Sequence, residues 1–319
     1  MKNILIISLL CFVHISVAQN KTDIARWETT AKRVNIIRDK WGIPHIFGKS
    51  DADCVFGLLY AQCEDDFQRV EMNYITMLGR TSEVKGEDHL YEDLLVKMVI
   101  DSAASVQDYQ KSPEWMKKLL NAFADGVNYF LYTHPQVKPA LLKEFKPWYP
   151  LTYTDGSISA IQTSNLTAKD IKNFYADISS DLTHIKQRDH EQLIGSNGFA
   201  IAPSKSISGN AMLYINPHVT FYFRPEVHMI SEEGLNTYGA VTWGQFFVYQ
   251  GFNEHCGWMH TSSEADVADL YEETIVKGKE GIFYKHDNTL KPVNIQTIEI
   301  GYKTNNGVGR KKFNVYTTH

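Results

Sequence analysis

Cysteine is scarce in this chain, with four among 319 residues. Cys11 sits in the apolar N-terminal run, and Cys54, Cys63 and Cys256 follow. Three cysteines in an exported chain leave at least one unpaired. Cys54 and Cys63 share one helical pattern, separated by about 13 Å along the axis, beyond the reach of a disulfide. Buried free thiols are therefore expected, and no Cys-x-x-Cys pair offers redox chemistry. Basic surplus is missing too. Lys and Arg number 32 against 37 Asp and Glu, a net charge of −5. No general basic surface is available for nucleic acid or anionic membranes. After the first eighteen residues no apolar run approaches the ~20 residues that span a bilayer. There is no Gly-x-Ser-x-Gly elbow and no phosphate-binding glycine loop, and His190-Glu191 lacks the second histidine of a zincin. Internal repeats and low-complexity tracts are absent.

Residues 1–18 read as a secretory signal: Lys2, an apolar run from Ile4 to Ile15, and Ser16-Val17-Ala18 as a small-residue cleavage site. The expectation is a periplasmic or secreted protein whose mature chain starts near Gln19. Aromatics reach 12%, which suits a large β core or an apolar substrate pocket. Arg33–Arg38 and Ile43–Gly48 alternate like strands around an Asp39–Gly42 turn and predict a hairpin. Asp51 or Asp53 is expected to cap a long helix closed by Gly79. Helical spacing continues over 89–110 and 113–132, with a short helix at 140–145 and weaker spacing over 168–182. Residues 180–195 read as a spacer. Beyond Ser196 the character changes to short β-type runs at 198–203, 211–216, 226–231, 237–242, 246–252, 257–262, 269–276, 281–285, 293–301 and 312–317.

The most telling stretch is Gly195-Ser196-Asn197-Gly198-Phe199. Alone it is a turn of common composition. Asn216-Pro217-His218 follows, then Gly251-Phe252-Asn253-Glu254-His255-Cys256-Gly257-Trp258-Met259-His260-Thr261-Ser262, then Asp266-Val267-Ala268-Asp269. That order resembles the start of the nucleophile subunit in the penicillin acylase family of N-terminal-nucleophile (Ntn) hydrolases. Arg38–Ile46 and Gly57–Gln68 resemble the opening of that family's α-subunit. The resemblance implies an α+β protein: a mostly helical α-subunit region over 19–179, a spacer over 180–195, and the start of a β-rich nucleophile subunit over 196–319. It implies an incomplete Ntn αββα sandwich.

It also implies an exported amidohydrolase acting on a small-molecule N-acyl amide, of β-lactam side-chain, acyl-homoserine lactone or lipopeptide type. Cleavage between Gly195 and Ser196 would give an α/β heterodimer and free the α-amine of Ser196. With an intrinsic pKa near 8, that amine can take the hydroxyl proton, so one residue supplies nucleophile and base. Gly195 suits the strained backbone such cleavage needs. His218 matches a position near the nucleophile, where an imidazole could bond the hydroxyl or tune the amine. Ser262 matches the residue whose backbone N–H serves the oxyanion hole. Val219, Gln250 and His260 fall at positions lining the acyl pocket. The chemistry needs no cofactor. Asp266 and Asp269 match positions that bind structural calcium in some members, and two carboxylates suit that hard cation. Zinc at His255, Cys256 and His260 is not expected, because their spacing is not a recognised ligand pattern.

Family members usually run to twice this length. The chain stops in a strand-like run at Val315–His319, and the second oxyanion donor, an asparagine side chain, is expected beyond it. The alternative reading is therefore a catalytically silent fragment or a β-rich ligand-binding module.

Overall fold

The computed structural model describes residues 21–152, 166–175, 195–219, 222, 224–261 and 271–318. Those residues combine helices and sheets, with helices concentrated before residue 176 and strands after 195. The expected signal segment, most of the spacer, Ser262, Asp266 and Asp269 lie outside them. No described helix is long and apolar enough to cross a membrane.

Two compact units are interleaved along the chain. The first gathers the chain up to Val70, Tyr109–Pro150 and Asn197–His260. It begins with helix α1 (residues 21–31), which sequence spacing did not announce. Trp27 Nε1 and Arg26 tie it to Asp125 at 2.7–2.9 Å. The predicted hairpin follows as β1 (Asn35–Arg38) and β2 (Pro44–Gly48), turned by Gly42 with φ +84°. Helix α2 (Asp51–Met77) comes next. Its cap differs from expectation: Ser50 Oγ accepts the Asp53 N–H at 3.1 Å. Asp51 instead receives the Ser231 hydroxyl, and Asp53 holds Arg33 through two bonds. The helix also breaks at Asp66, whose backbone is extended and whose carboxylate accepts the Arg69 N–H at 3.0 Å. Asp66 thus acts as an N-cap in mid-sequence and restarts the helix.

A six-stranded sheet forms the other layer of this unit. Its order is β1-β2-β5-β6-β7-β8, with β5 at Glu226–Ser231, β6 at Asn236–Ala240, β7 at Gln250–Phe252 and β8 at Gly257–Trp258. Only the β2–β5 pair is parallel. Alternation buries Ile46, Val227, Met229 and Thr237 on one face. The first half of α2 lies on that face. A Cβ at Gly57 would meet Ile46 Cγ2 at 2.7 Å, so only glycine permits this approach. Gln62 of α2 donates to the Gln245 carbonyl (2.9 Å) and accepts the Gly244 N–H (2.8 Å). These bonds hold the 241–249 loop, which is why the run expected over 246–252 becomes a strand only at Gln250. Similarly, the run expected over 257–262 pairs only at Gly257–Trp258. Helix α6 (Glu114–Thr133) matches its predicted span. The short helix expected at 140–145 does not form; both backbone groups of Phe145 bond to the Asn128 side chain instead. Beside the sheet, β3 (Ser196–Ile201) and β4 (Met212–Pro217) make a separate two-stranded pair.

The second unit gathers Glu71–Asp108, 151–196 and the chain from Thr261 onward. The single helix expected over 89–110 is two, α4 (Leu90–Val99) and α5 (Ser102–Lys111), following the short α3 (Thr81–Lys85). Ile100 is extended, and Asp101 accepts the Ala103 N–H at 2.8 Å, starting α5 afresh. Helix α7 (Ala168–Tyr175) occupies the start of the weakly periodic region. Strands β9 (Ile275–Gly278), β10 (Gly281–His286) and β11 (Thr289–Pro292) make a meander, and β12 (Asn294–Thr304) and β13 (Gly307–Thr317) a long hairpin. Leu90, Leu94, Ile171, Ile300 and Phe313 form the core of this unit. Cys54 and Cys63 are free and buried, as expected; Cys256 is free but exposed, because it lies in the turn before β8.

Candidate active site

Ser196 opens β3 and is half-buried. Its backbone N–H donates to Thr261 Oγ1 at 3.0 Å, and the Thr261 hydroxyl donates to the Ser196 carbonyl at 2.9 Å. One side chain therefore satisfies both backbone groups of one residue, as a neighbouring strand would. A Cβ placed on Gly195 would meet nothing within 4 Å, so crowding does not explain a glycine there.

The next residue leads to the predicted histidine. Asn197 Nδ2 lies 3.0 Å from His218 Nε2, and Asn216 Nδ2 lies 3.3 Å from the same nitrogen. Two side-chain amides thus converge on one ring nitrogen of His218. His218 is thereby tied to the residue that follows Ser196.

Val219 lines a cavity of about 420 Å³ together with Leu213, Ile215 and Pro217. The opposite wall is the six-stranded sheet. Register places Glu226, Ala240 and Gln250 in one row and His228, Tyr238 and Phe252 in the next, on the same face. Glycines at 239 and 251 oppose each other, and a Cβ on either would strike backbone at 2.1–2.2 Å. The β6–β7 contact that shapes this wall thus depends on both being glycine.

Gln250 is 2% exposed. Its Nε2 donates to the His260 carbonyl at 3.0 Å, which fixes the amide orientation because a carbonyl can only accept. Its Oε1 is buried and unpartnered. A buried acceptor without a donor costs about 1–3 kcal/mol. His260 itself is exposed and is not among the residues lining the cavity. Its ring lies 4.6 Å from that of Tyr249, and its contribution to this wall is the backbone carbonyl that Gln250 grips.

Sequence reasoning missed several wall residues. The Arg224 guanidinium lies over the Tyr249 ring at 4.4 Å. Tyr238 donates its hydroxyl to Glu226 at 2.5 Å, and burial, with Glu226 beside it, pushes the phenol well above its ordinary range. In the same row His45 and His228 face each other, Nδ1 to Nδ1, at 2.9 Å, and His228 Nε2 lies 2.9 Å from Asn236 Oδ1. Period-two spacing in β5 and β6 could have put Glu226, His228 and Tyr238 on one face; which strands pair could not be read from it. Among the described residues no group of three or more His, Cys, Asp and Glu side chains is arranged to hold a metal. His255 pairs with its neighbour Glu254 at 3.0 Å.

A family model described as penicillin amidase matches residues 33–319. Among curated proteins, the acyl-homoserine lactone acylase QuiP of Pseudomonas fluorescens is 21% identical, covering 83% of this chain and 38% of the relative. PvdQ of Pseudomonas putida, another acyl-homoserine lactone acylase, is 24% identical over 84% of this chain and 38% of its own. A penicillin acylase 2 proenzyme from a Pseudomonas species is 23% identical, covering 82% of this chain and 40% of the relative. The chain thus spans about two fifths of the length of these relatives. A solved thermostable penicillin G acylase from Alcaligenes faecalis is 19% identical, covers 48% of this chain and 79% of that one, and superposes with a TM-score of 0.35.

Proposed function

The chain belongs to the penicillin amidase family, and from that premise we propose that it hydrolyses N-acyl amides through an acyl ester on Ser196. The observation that carries the reading is the run of contacts from the serine to the cavity. Ser196 precedes Asn197, Asn197 bonds to His218, and Val219 beside His218 lines the pocket. The fold proposed for the whole protein is the Ntn sandwich, with a helical region before the spacer and the nucleophile subunit beginning at Ser196. The leader over residues 1–18 would export it.

Maturation comes first. The Ser196 hydroxyl oxygen attacks the Gly195 carbonyl carbon, the C–N bond breaks, and the hydroxyl proton ends on the departing nitrogen. Water then hydrolyses the ester, freeing the Gly195 carboxyl, the serine hydroxyl and an α-amine. In turnover that amine takes the hydroxyl proton as the oxygen attacks the substrate carbonyl. The backbone N–H of Ser262 would receive the oxyanion. The proton passes to the leaving amine, and water releases the acid from Ser196. The Asn197–His218 contact would tie the start of β3 to the residue just after β4. The chemistry calls for no cofactor, and calcium at Asp266 and Asp269 would be structural.

Relatives named for acyl-homoserine lactones and for penicillin bracket the substrate class. Leu213, Ile215 and Val219 offer an apolar wall, while the Glu226 carboxylate offers an acceptor opposite it. This favours medium or polar-ended acyl groups, above all those carrying a donor, over long saturated chains. Each buried methylene is worth about 0.8 kcal/mol, so a deep apolar pocket would show kcat/KM climbing steeply with length. Acyl amides of two to sixteen carbons, with and without a terminal hydroxyl, test this on the full-length protein. The expected profile peaks at medium length and gains from the hydroxyl. A monotonic rise to the longest chain would overturn the pocket assignment, and no hydrolysis of any member would overturn the amidase.

A further inference from the structure

Thr261 lies next to the residue whose carbonyl Gln250 grips, and it makes two contacts to one residue. Its hydroxyl proton goes to the Ser196 carbonyl at 2.9 Å, and its oxygen takes the Ser196 N–H at 3.0 Å. A hydroxyl has one proton and two lone pairs. With the proton committed to the carbonyl, the oxygen can meet the Ser196 nitrogen only as an acceptor. The arrangement needs an extended residue, whose N–H and C=O point to the same side, and Ser196 is the first residue of β3.

We propose that Thr261 is a positioning residue for the Ser196 nitrogen, before and after chain cleavage. This rests on the reading of Ser196 as an N-terminal nucleophile. In the uncut chain that nitrogen belongs to the scissile peptide. In the cut chain it becomes the α-amine that must accept the hydroxyl proton. A free amine at a chain end turns about its bond to Cα, and only some orientations aim its lone pair toward the hydroxyl. Thr261 Oγ1 accepts one N–H while its own proton holds the adjoining carbonyl. The nitrogen then has one hydrogen fixed and its carbonyl anchored, so the lone pair is confined. The threonine touches no substrate atom in this account; it acts through the amine.

The test compares Thr261→Val, which keeps the volume and removes the hydroxyl, with Thr261→Ser, which keeps the hydroxyl. Both are made in the full-length protein, with Ser196→Ala beside them. For Thr261→Val the account predicts slower processing and a kcat lowered at least about tenfold with KM little changed, since the interaction acts on the chemical step. Thr261→Ser should recover most of both. Should the valine variant remain uncut, a protease site ending at residue 195 supplies the free Ser196 terminus, and kcat is read on that form. A valine variant with normal processing and normal kcat overturns the proposal. So does a serine variant as impaired as valine, because packing rather than the hydroxyl would then matter. If Ser196→Ala itself retains activity, the nucleophile assignment fails instead, and the two failures are told apart.

Discussion

Two pieces of β structure, the β5–β6 pair and β3, meet opposite fates. β5 and β6 bury alternate residues, among them Val227 at 1%, Met229 at 3% and Thr237 at 6% exposure, beneath α2. β3 leaves every residue from Asn197 to Ile201 exposed, with Phe199 at 60%. Yet β3 carries the proposed nucleophile, while the buried sheet supplies the cavity wall. The contrast separates two tasks. The sheet and α2 gain stability from apolar area, roughly 25 cal/mol per Å². The serine is placed by a few polar bonds at one end of its strand: two to Thr261, and one from its neighbour to His218.

The comparison can be broken by cutting into each side. Gln62→Ala should have the largest effect on stability. It strands the Gly244 N–H and the Gln245 carbonyl, both met by Gln62 inside the unit. Leaving buried polar groups unpaired should cost about 2–4 kcal/mol, read as a lower urea midpoint. Phe199→Ala on the exposed strand should cost no more than about 0.5 kcal/mol. Similar losses from the two changes would show that β3 is as much a part of the core as β5.

Cysteine labelling sharpens the same contrast without altering stability. Burial pushes the Cys54 thiol up to about 12, with Asp51 adding to the shift, and holds Cys63 well above its ordinary range. Neither has appreciable thiolate near pH 8, and both lie in α2. Cys256 is exposed. In the chain without residues 1–18, which removes Cys11, one equivalent of a maleimide should react quickly at Cys256, and two more only on unfolding. Rapid native labelling of Cys54 would mean that the α2–sheet layer opens readily.

Much of this layout was legible in the sequence. The β1–β2 hairpin and α2 followed from alternation and helical spacing, and most strands after Ser196 appear near their expected places. What failed was local. Ser50 outcompeted the acidic residues as the α2 cap, Asp66 and Asp101 started new helices inside apparently continuous ones, and Asn128 claimed the backbone of Phe145. Each is a side chain bonding to backbone, which leaves hydrophobic spacing unchanged and so escapes a reading based on it. The site divided the same way. Val219 and Gln250 line one cavity, and His218 contacts the residue after Ser196. The orphaned oxygen of Gln250 and the grip of Thr261 depend on pairings between distant segments. Ser262, Asp266 and Asp269 lie outside the described residues.

The central claim is that Ser196 becomes a chain terminus and acts from there. Intact-mass and N-terminal analysis of the full-length protein, purified as wild type and as Ser196→Ala, tests it most directly. The account predicts a second polypeptide beginning with Ser196-Asn197-Gly198 in the wild type and a single uncut chain in the variant. An uncut wild type, or cutting before residue 196 that persists in Ser196→Ala, would contradict it.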